Sequence, residues 1–333
     1  MANVLLTQRC VRSCPYCFAK EHMEDSVDQE LSWDNLFYIA DFFESSGVRH
    51  ISLLGGEPTL HSNFVQYVTY LLQRNFHVTV FTSAIMSTDK LYQLEQHLKQ
   101  YGPNQLSFVC NLNEPSISSD EENQKQIKFL KTFGPYTTAS FNIYQLDFDL
   151  NFLADYIVKY KMNRSIRFGL AHPIPGQENV CIVPEDMPEL SKRLFSFAPL
   201  LEKENISPNF DCGMPLCIFN DEQLGRLFRM TKGELRFGCG PAIDIGPDMS
   251  VWSCFPLHAL EKKSLFEFDK FDDIAKYFSE YLGELKKDKN SGIFSECSTC
   301  KELINNKCSG GCVAHYLSSN PQVLTGKKRK STA

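Results

Sequence analysis

No run of apolar residues in this chain is long enough to cross a bilayer. No charged leader followed by an apolar segment opens it either. The chain is therefore expected in the cytoplasm, without a membrane partner. Positive charge is not in excess: 34 Lys and Arg stand against 40 Asp and Glu, a net charge of −6. No global field draws it to nucleic acid. The one basic run, Lys327 to Lys330, reads as a solvated tail. Internal repeats and low-complexity linkers are absent. Cysteine, by contrast, is abundant, with 13 in 333 residues. In a reducing compartment that number points to metal or cluster ligation rather than to disulfides. Three lie at the start, Cys110 and Cys181 stand alone, and the other eight fall between Cys212 and Cys312.

The first part of the chain alternates strand and helix patterns. Short apolar strands are predicted at Val4–Leu6, His50–Leu54, His77–Phe81, Leu106–Asn111, Thr138–Ile143 and Ser165–Leu170. Amphipathic helices are predicted between them: Ser32–Ser46, with Ser32 as N-cap and Gly47 as stop, then Asn63–Arg74, Thr88–Lys99, Asp120–Phe133 and Leu150–Tyr160. A further helix is expected over Pro188–Glu204. Six strand–helix units without hairpin signals indicate a parallel sheet in an α/β fold, either a partial barrel or a doubly wound open sheet. In a barrel the active site lies at the C-terminal ends of the strands, and the motifs below fall at such ends. Past Ile206 come short segments, glycines, prolines and most of the cysteines. This predicts a core of residues 1–206 and a cysteine-rich cluster-binding domain of residues 207–333.

The first strand feeds into Cys10, Cys14 and Cys17, spaced Cys-x3-Cys-x2-Cys. Three thiolates on one loop can hold three corners of a four-iron four-sulfur cluster, leaving the fourth iron open to a small molecule. A structural zinc site fits poorly, because such sites usually pair two Cys-x2-Cys knuckles and no fourth ligand is near. The second strand ends in Gly55-Gly56-Glu57-Pro58. There the glycines permit close backbone approach, and a carbonyl or carboxylate can accept hydrogen bonds from an ammonium.

The triplet followed one strand later by this motif resembles the radical S-adenosylmethionine (SAM) enzymes. The resemblance implies a partial (β/α)6 TIM-like barrel. It also implies a cluster whose open iron chelates SAM, and reductive cleavage of SAM to a 5′-deoxyadenosyl radical that abstracts hydrogen from a substrate. Gly55, Gly56, Glu57 and Pro58 would then contact SAM. Thr82 and Ser83 at the third strand's end, Asn111 at the fourth's, Asn142 in the fifth and Arg167 in the sixth are further candidate SAM contacts. Tyr16, just before the third cysteine, resembles the adenine-contacting position, and Phe18 flanks the other side. Ordinary strand-end structure and cluster shielding are the plain alternatives for these residues.

Toward the C-terminus, Cys239 and Cys254 are followed by Cys297-x2-Cys300-x7-Cys308-x3-Cys312. This resembles the SPASM extension of radical SAM enzymes, which carries auxiliary iron–sulfur clusters. Its hairpin matches the Pro247–Cys254 stretch, although Met249 stands where glycine is usual. The gap of seven is longer than usual, and no cysteine follows Cys312. Cys212 and Cys217 bring the total to eight thiolates, enough for two four-iron clusters. Cys239, Cys254 and Cys312, with Cys217, are expected at the nearer one, and Cys297, Cys300 and Cys308 at the farther. A pair of zinc knuckles is the alternative.

Cys110 is a candidate hydrogen donor to a substrate radical, with burial as an inert thiol the commoner fate; Cys181 is a similar case. His61, His172, Asp244 and His258 are candidate bases that no spacing ranks. The reading is a radical SAM oxidoreductase that modifies a ribosomally made peptide or protein. An electron donor such as flavodoxin or ferredoxin is implied. With the triplet at residue 10, the substrate would be recognised through a separate leader-binding protein or by the core alone. A radical SAM enzyme acting on a small metabolite, and a cluster protein that transfers electrons without cleaving SAM, are the alternatives.

Overall fold

Each strand owes its place to alternation. In Leu106–Asn111, Leu106, Phe108 and Cys110 are buried while Ser107, Val109 and Asn111 are partly exposed. The Phe108 ring packs on Phe129 and Phe133, so the apolar face meets the helices. The other face, with Ser107 and Asn111 on either side of Val109, lines the inside of the curved sheet. The computed structural model describes residues 2–19, 30–211, 213–240, 242–286 and 292–321. Cys212 and the basic run at 327–330 lie outside these.

The parallel strands are β1 (Ala2–Leu5), β2 (His50–Leu54), β3 (His77–Thr82), β4 (Leu106–Asn111), β5 (Thr137–Ile143), β6 (Ser165–Leu170) and β7 (Ser207–Phe210). Helices α1 (Trp33–Ser45), α2 (Phe64–Gln73), α3 (Thr88–Leu98), α4 (Asp120–Phe133) and α5 (Asn151–Lys159) connect β1 to β6. As expected, the Ser32 hydroxyl caps α1 by accepting from the Asn35 N–H at 3.2 Å, and Gly47 (φ 71°) leaves it in the left-handed region. Ser119 and Glu122 close a reciprocal capping box on α4.

Two differences have local causes. The helix expected over Pro188–Glu204 is broken at Phe197 into α6 (Met187–Ser196) and α7 (Ala198–Lys203). Pro199 lacks the N–H that would continue the ladder and sits instead in the first turn of α7. The sheet also does not stop at Ile206. Strand β7 adds to β6, and its Pro208 is tolerated because the strand lies at an edge.

Beyond α8 (Asp221–Met230), β8 (Ile243–Ile245) pairs parallel with β1, Ala2 facing Ile243 and Asn3 facing Asp244. The expected hairpin is present: β9 (Ser250–Ser253) runs antiparallel to β8, and β10 (Lys263–Ser264) to β9. The resulting sheet of ten strands has the order β10-β9-β8-β1-β2-β3-β4-β5-β6-β7, with its two edges not joined. Helices α9 (Phe271–Lys286), α10 (Lys301–Ile304) and α11 (Val313–Ser319) complete the described chain. Among the described residues no helix is long and apolar enough to cross a membrane.

Met249 takes the turn position where glycine was expected. It does so at φ 66° with its side chain 2% exposed. Relieving the left-handed strain is worth about 1–2 kcal/mol, whereas deleting a buried methionine side chain costs about 2–5 kcal/mol. Met249→Gly should therefore lower the unfolding free energy in a denaturant titration, despite supplying the residue the turn geometry prefers.

Candidate active site

The triplet loop leaves β1 at the C-terminal mouth of the sheet. The backbone of Gly55–Glu57 is laid directly against it. The Gly56 N–H donates to the Thr7 carbonyl at 2.9 Å, and the Glu57 N–H donates to the Arg9 carbonyl at 2.7 Å. A Cβ on Gly55 (φ 156°) would stand 2.3 Å from the Thr7 oxygen, and one on Gly56 would stand 2.3 Å from the Arg9 oxygen. The glycines thus admit the cluster loop itself.

Glu57 is 1% exposed, and its carboxylate accepts five hydrogen bonds. Oε1 takes the Thr59 N–H (3.2 Å), the Thr59 hydroxyl (2.8 Å) and the Thr82 hydroxyl (2.7 Å). Oε2 takes the Ser83 N–H (2.7 Å) and the Ser83 hydroxyl (2.6 Å). The structure therefore brings Glu57, Thr82 and Ser83 together, joining the ends of β2 and β3. Pro58 opens a short turn whose cap is Glu57.

Within the loop, Cys10 keeps contact with solvent while Cys14 and Cys17 are half-buried, and the Cys17 N–H donates to the Cys14 carbonyl at 3.0 Å. Crowding by surrounding protein pushes the Cys10 thiol up to about 11. Tyr16 stacks on Tyr144 at 4.7 Å between ring centroids and hydrogen-bonds the Asn142 side chain. Burial, then the nearby Cys14, raises the Tyr16 hydroxyl. The segment around Cys181 also rests on this loop, the Val180 N–H donating to the Pro15 carbonyl at 3.1 Å; burial raises the half-buried Cys181 thiol.

The inner face of the sheet carries a polar row in register: Asn111 faces Ser140, Ser140 faces Arg167 and Arg167 faces Asn209. Arg167 donates to Ser140 Oγ at 3.3 Å, pairs with Asp211 and lies over the Phe81 ring at 5.3 Å. Gly169 leaves room for Asn142, whose Oδ1 would be 2.4 Å from a Cβ there. Asn111 Oδ1 is buried with no hydrogen-bond partner among the described residues. Cys110 is on the opposite face, fully buried with Phe108, and burial raises its thiol. It faces the helices rather than the mouth, which disfavours hydrogen donation to a substrate there.

The candidate bases separate. His61 is 1% exposed and both ring nitrogens are engaged, Nε2 with the Leu31 carbonyl (3.0 Å) and Nδ1 with the Asn63 N–H (3.1 Å). This is a structural role. His258 Nδ1 lies 2.8 Å from the Phe255 carbonyl. His172 pairs with His315 at 3.4 Å, and burial lowers His315 to about 3. Asp244 is 2% exposed, accepts from Asn3 Nδ2 at 2.7 Å, and is pushed up to about 7 by burial.

The C-terminal thiols form two groups that feel one another's charge. Cys239, Cys254 and Cys312 are one, with Cys254 and Cys312 each raised by burial to about 12. Cys217, Cys297, Cys300 and Cys308 are the other, with Cys217 raised to about 11 chiefly by burial. Cys217, expected with the first group, belongs to the second. Its short turn, Leu216–Ile218, carries it there. Among the described residues no three His, Cys, Asp or Glu clasp a single metal ion, so it is mutual electrostatics that defines these groups. Their all-thiol donor sets suit iron–sulfur clusters, as does the triplet's. The first group adjoins the triplet: Phe18 meets Phe255 at 5.0 Å, and Leu5, Ala19, Trp252 and Phe255 form a small apolar cluster that Cys17 packs against.

Residues 4–139 match the family described as "Radical SAM superfamily". Over 100 residues the chain is 35% identical to an S-adenosylmethionine-dependent nucleotide dehydratase of Selenomonas ruminantium, covering 29% of this chain and 35% of that protein. It is 29% identical over 131 residues to the mitochondrial GTP 3′,8-cyclase of Arabidopsis thaliana, covering 38% and 30%. The chain thus spans about a third of these curated relatives. In three dimensions it resembles Streptococcus suis SuiB bound to precursor peptide SuiA, with TM-score 0.66 at 16% identity, covering 96% of this chain and 73% of that one. It also resembles anSMEcpe with bound AdoMet, with TM-score 0.65 at 15% identity, covering 99% and 100%. At these identities the likeness shows the fold, an unclosed partial barrel.

Two outcomes follow from the geometry. Glu57→Gln would set an amide N–H₂ against a backbone N–H, of Thr59 or of Ser83, that can only donate, so the apo protein should lose about 1–3 kcal/mol in a urea titration. Asp244 holds in the folded state a proton that the unfolded chain releases near pH 4. Its contribution therefore favours folding below that pH and declines as pH rises toward 7. Asp244→Asn keeps the Asn3 bond and should flatten this decline in a series of melting temperatures across that range.

Proposed function

We propose that this chain, which carries a radical SAM domain over residues 4–139, abstracts hydrogen from a peptide or protein substrate in a post-translational modification. A four-iron cluster on Cys10, Cys14 and Cys17, with SAM at its open iron, would supply the electron that splits SAM into methionine and a 5′-deoxyadenosyl radical. The residues around it keep this chemistry in place. Gly55–Glu57 brace the loop, Tyr16 and Asn142 tie it to β5, and the polar row from Asn111 to Asn209 presents hydrogen-bonding groups to a polar substrate.

The observation that carries the peptide reading is the pair of C-terminal thiol groups. They sit in a whole-chain fold like that of SuiB, whose structure includes a precursor peptide, and of anSMEcpe, which has been seen with a Cp18Cys peptide. In this reading they hold two auxiliary clusters, and the group beside the triplet accepts the electron that a substrate radical gives up. A separate leader-binding protein and a flavodoxin or ferredoxin remain part of the proposal. The nucleotide-acting sequence relatives favour a second reading, a nucleoside triphosphate as substrate.

Anaerobic reconstitution should load about twelve irons per chain, and about four fewer after Cys10, Cys14 and Cys17 are all changed to alanine, with loss of dithionite-driven SAM cleavage. About four irons in the wild type would remove the auxiliary clusters. Formation of 5′-deoxyadenosine should rise about tenfold or more with a precursor peptide encoded beside the gene. A rise with GTP or CTP instead would replace the peptide by a nucleotide.

A further inference from the structure

Arg12 stands between Cys10 and Cys14 in the triplet loop, and its side chain is only 9% exposed. A buried guanidinium is costly unless charge and hydrogen bonds compensate it. Here the protein compensates it thinly. Nη1 donates to the Asn111 carbonyl at 3.4 Å, Nε faces Glu122 Oε1 at 3.5 Å, and the buried Nη2 has no hydrogen-bond partner among the described residues. Glu122 is itself 27% exposed, so solvent weakens its hold on the cation. The Arg12 backbone N–H hydrogen-bonds Cys10, and its charge reaches Tyr16 and Cys110.

We propose that Arg12 sets the reduction potential of a cluster held by its own loop, its buried charge favouring the reduced state. The inference rests on the reading that Cys10, Cys14 and Cys17 hold a four-iron cluster. Three thiolates leave such a cluster net negative, and one-electron reduction adds a further negative charge. A fixed cation in a poorly solvated site stabilises the more negative state more. Glu122 opposes it: 3.5 Å from the guanidinium, its carboxylate offsets part of that charge.

The test is a redox titration of the reconstituted full chain, following by electron paramagnetic resonance the signal that changes when SAM is added. Arg12→Met should make reduction at least tenfold less favourable, a shift of about 59 mV to more negative potential for one electron. Arg12→Lys should stay near wild type. Glu122→Gln, which keeps the capping side chain of α4 but removes its charge, should shift the potential upward. If Arg12→Met does not load iron, the Glu122→Gln shift decides. Unchanged potentials in the loaded variants overturn the proposal alone. A wild-type chain that loads no SAM-responsive cluster overturns it together with the cluster reading.

Discussion

The close approach of Gly55–Glu57 to Thr7–Arg9 is the contact on which the site is built. Two backbone hydrogen bonds join the end of β2 to the first turn of the triplet loop. They form only because no side chain stands between the two segments. The Glu57 carboxylate gathers Thr59, Thr82 and Ser83, so the same four-residue motif holds the loop through its backbone and the end of β3 through its side chain. A carboxylate with five donors has little left to offer an incoming ammonium.

The sheet divides its two faces by chemistry. Outward residues such as Phe108, Phe141 and Phe168 are apolar and pack in the core. Inward residues include Phe81 and Val109 but are otherwise mostly hydroxyls and amides with one guanidinium: Thr79 bonds Ser107 at 2.9 Å, Ser140 bonds Arg167, and Asn209 bonds Ser165. A closed eight-stranded barrel fills its interior with branched apolar side chains. An unclosed sheet with a polar inner wall leaves that space for a polar ligand, and Arg167, held between Asp211 and the Phe81 ring, is fixed before anything binds.

Much of this was legible in the chain. The six strands, the N-cap Ser32, the stop at Gly47 and the capping box at Ser119 follow from local pattern, and the structure has them where pattern puts them. The partners of Glu57 were not legible as partners. Thr82 and Ser83 were singled out as SAM contacts, but their shared carboxylate lies 25 and 26 residues away, a distance no periodicity spans. Strand β7 escaped because four residues with a proline carry no alternation to detect. Cys217 was misplaced because spacing along a chain does not determine which of two thiol groups a turn will reach. Arg12 went unremarked because a lone arginine between cysteines reads as a surface charge until its burial is seen.

The sheet's continuity across Ile206 bears on how the thiol groups can work with the triplet. An appended domain on a linker would sample a range of separations. Here β8 is hydrogen-bonded to β1, the strand that delivers the triplet, and β9 leads straight from that pairing to Cys254. Phe255 and Trp252 then pack in one small apolar cluster with Leu5 and Ala19, against which Cys17 also lies. The triplet and Cys254, one member of the group formed by Cys239, Cys254 and Cys312, are thus tied to the same pair of strands. The proposed transfer of an electron from a substrate radical to this group requires the two sites to be held at one separation. A shared strand pair does this without a linker, so substitutions that loosen the β1–β8 pairing should uncouple the two sites before they unfold either.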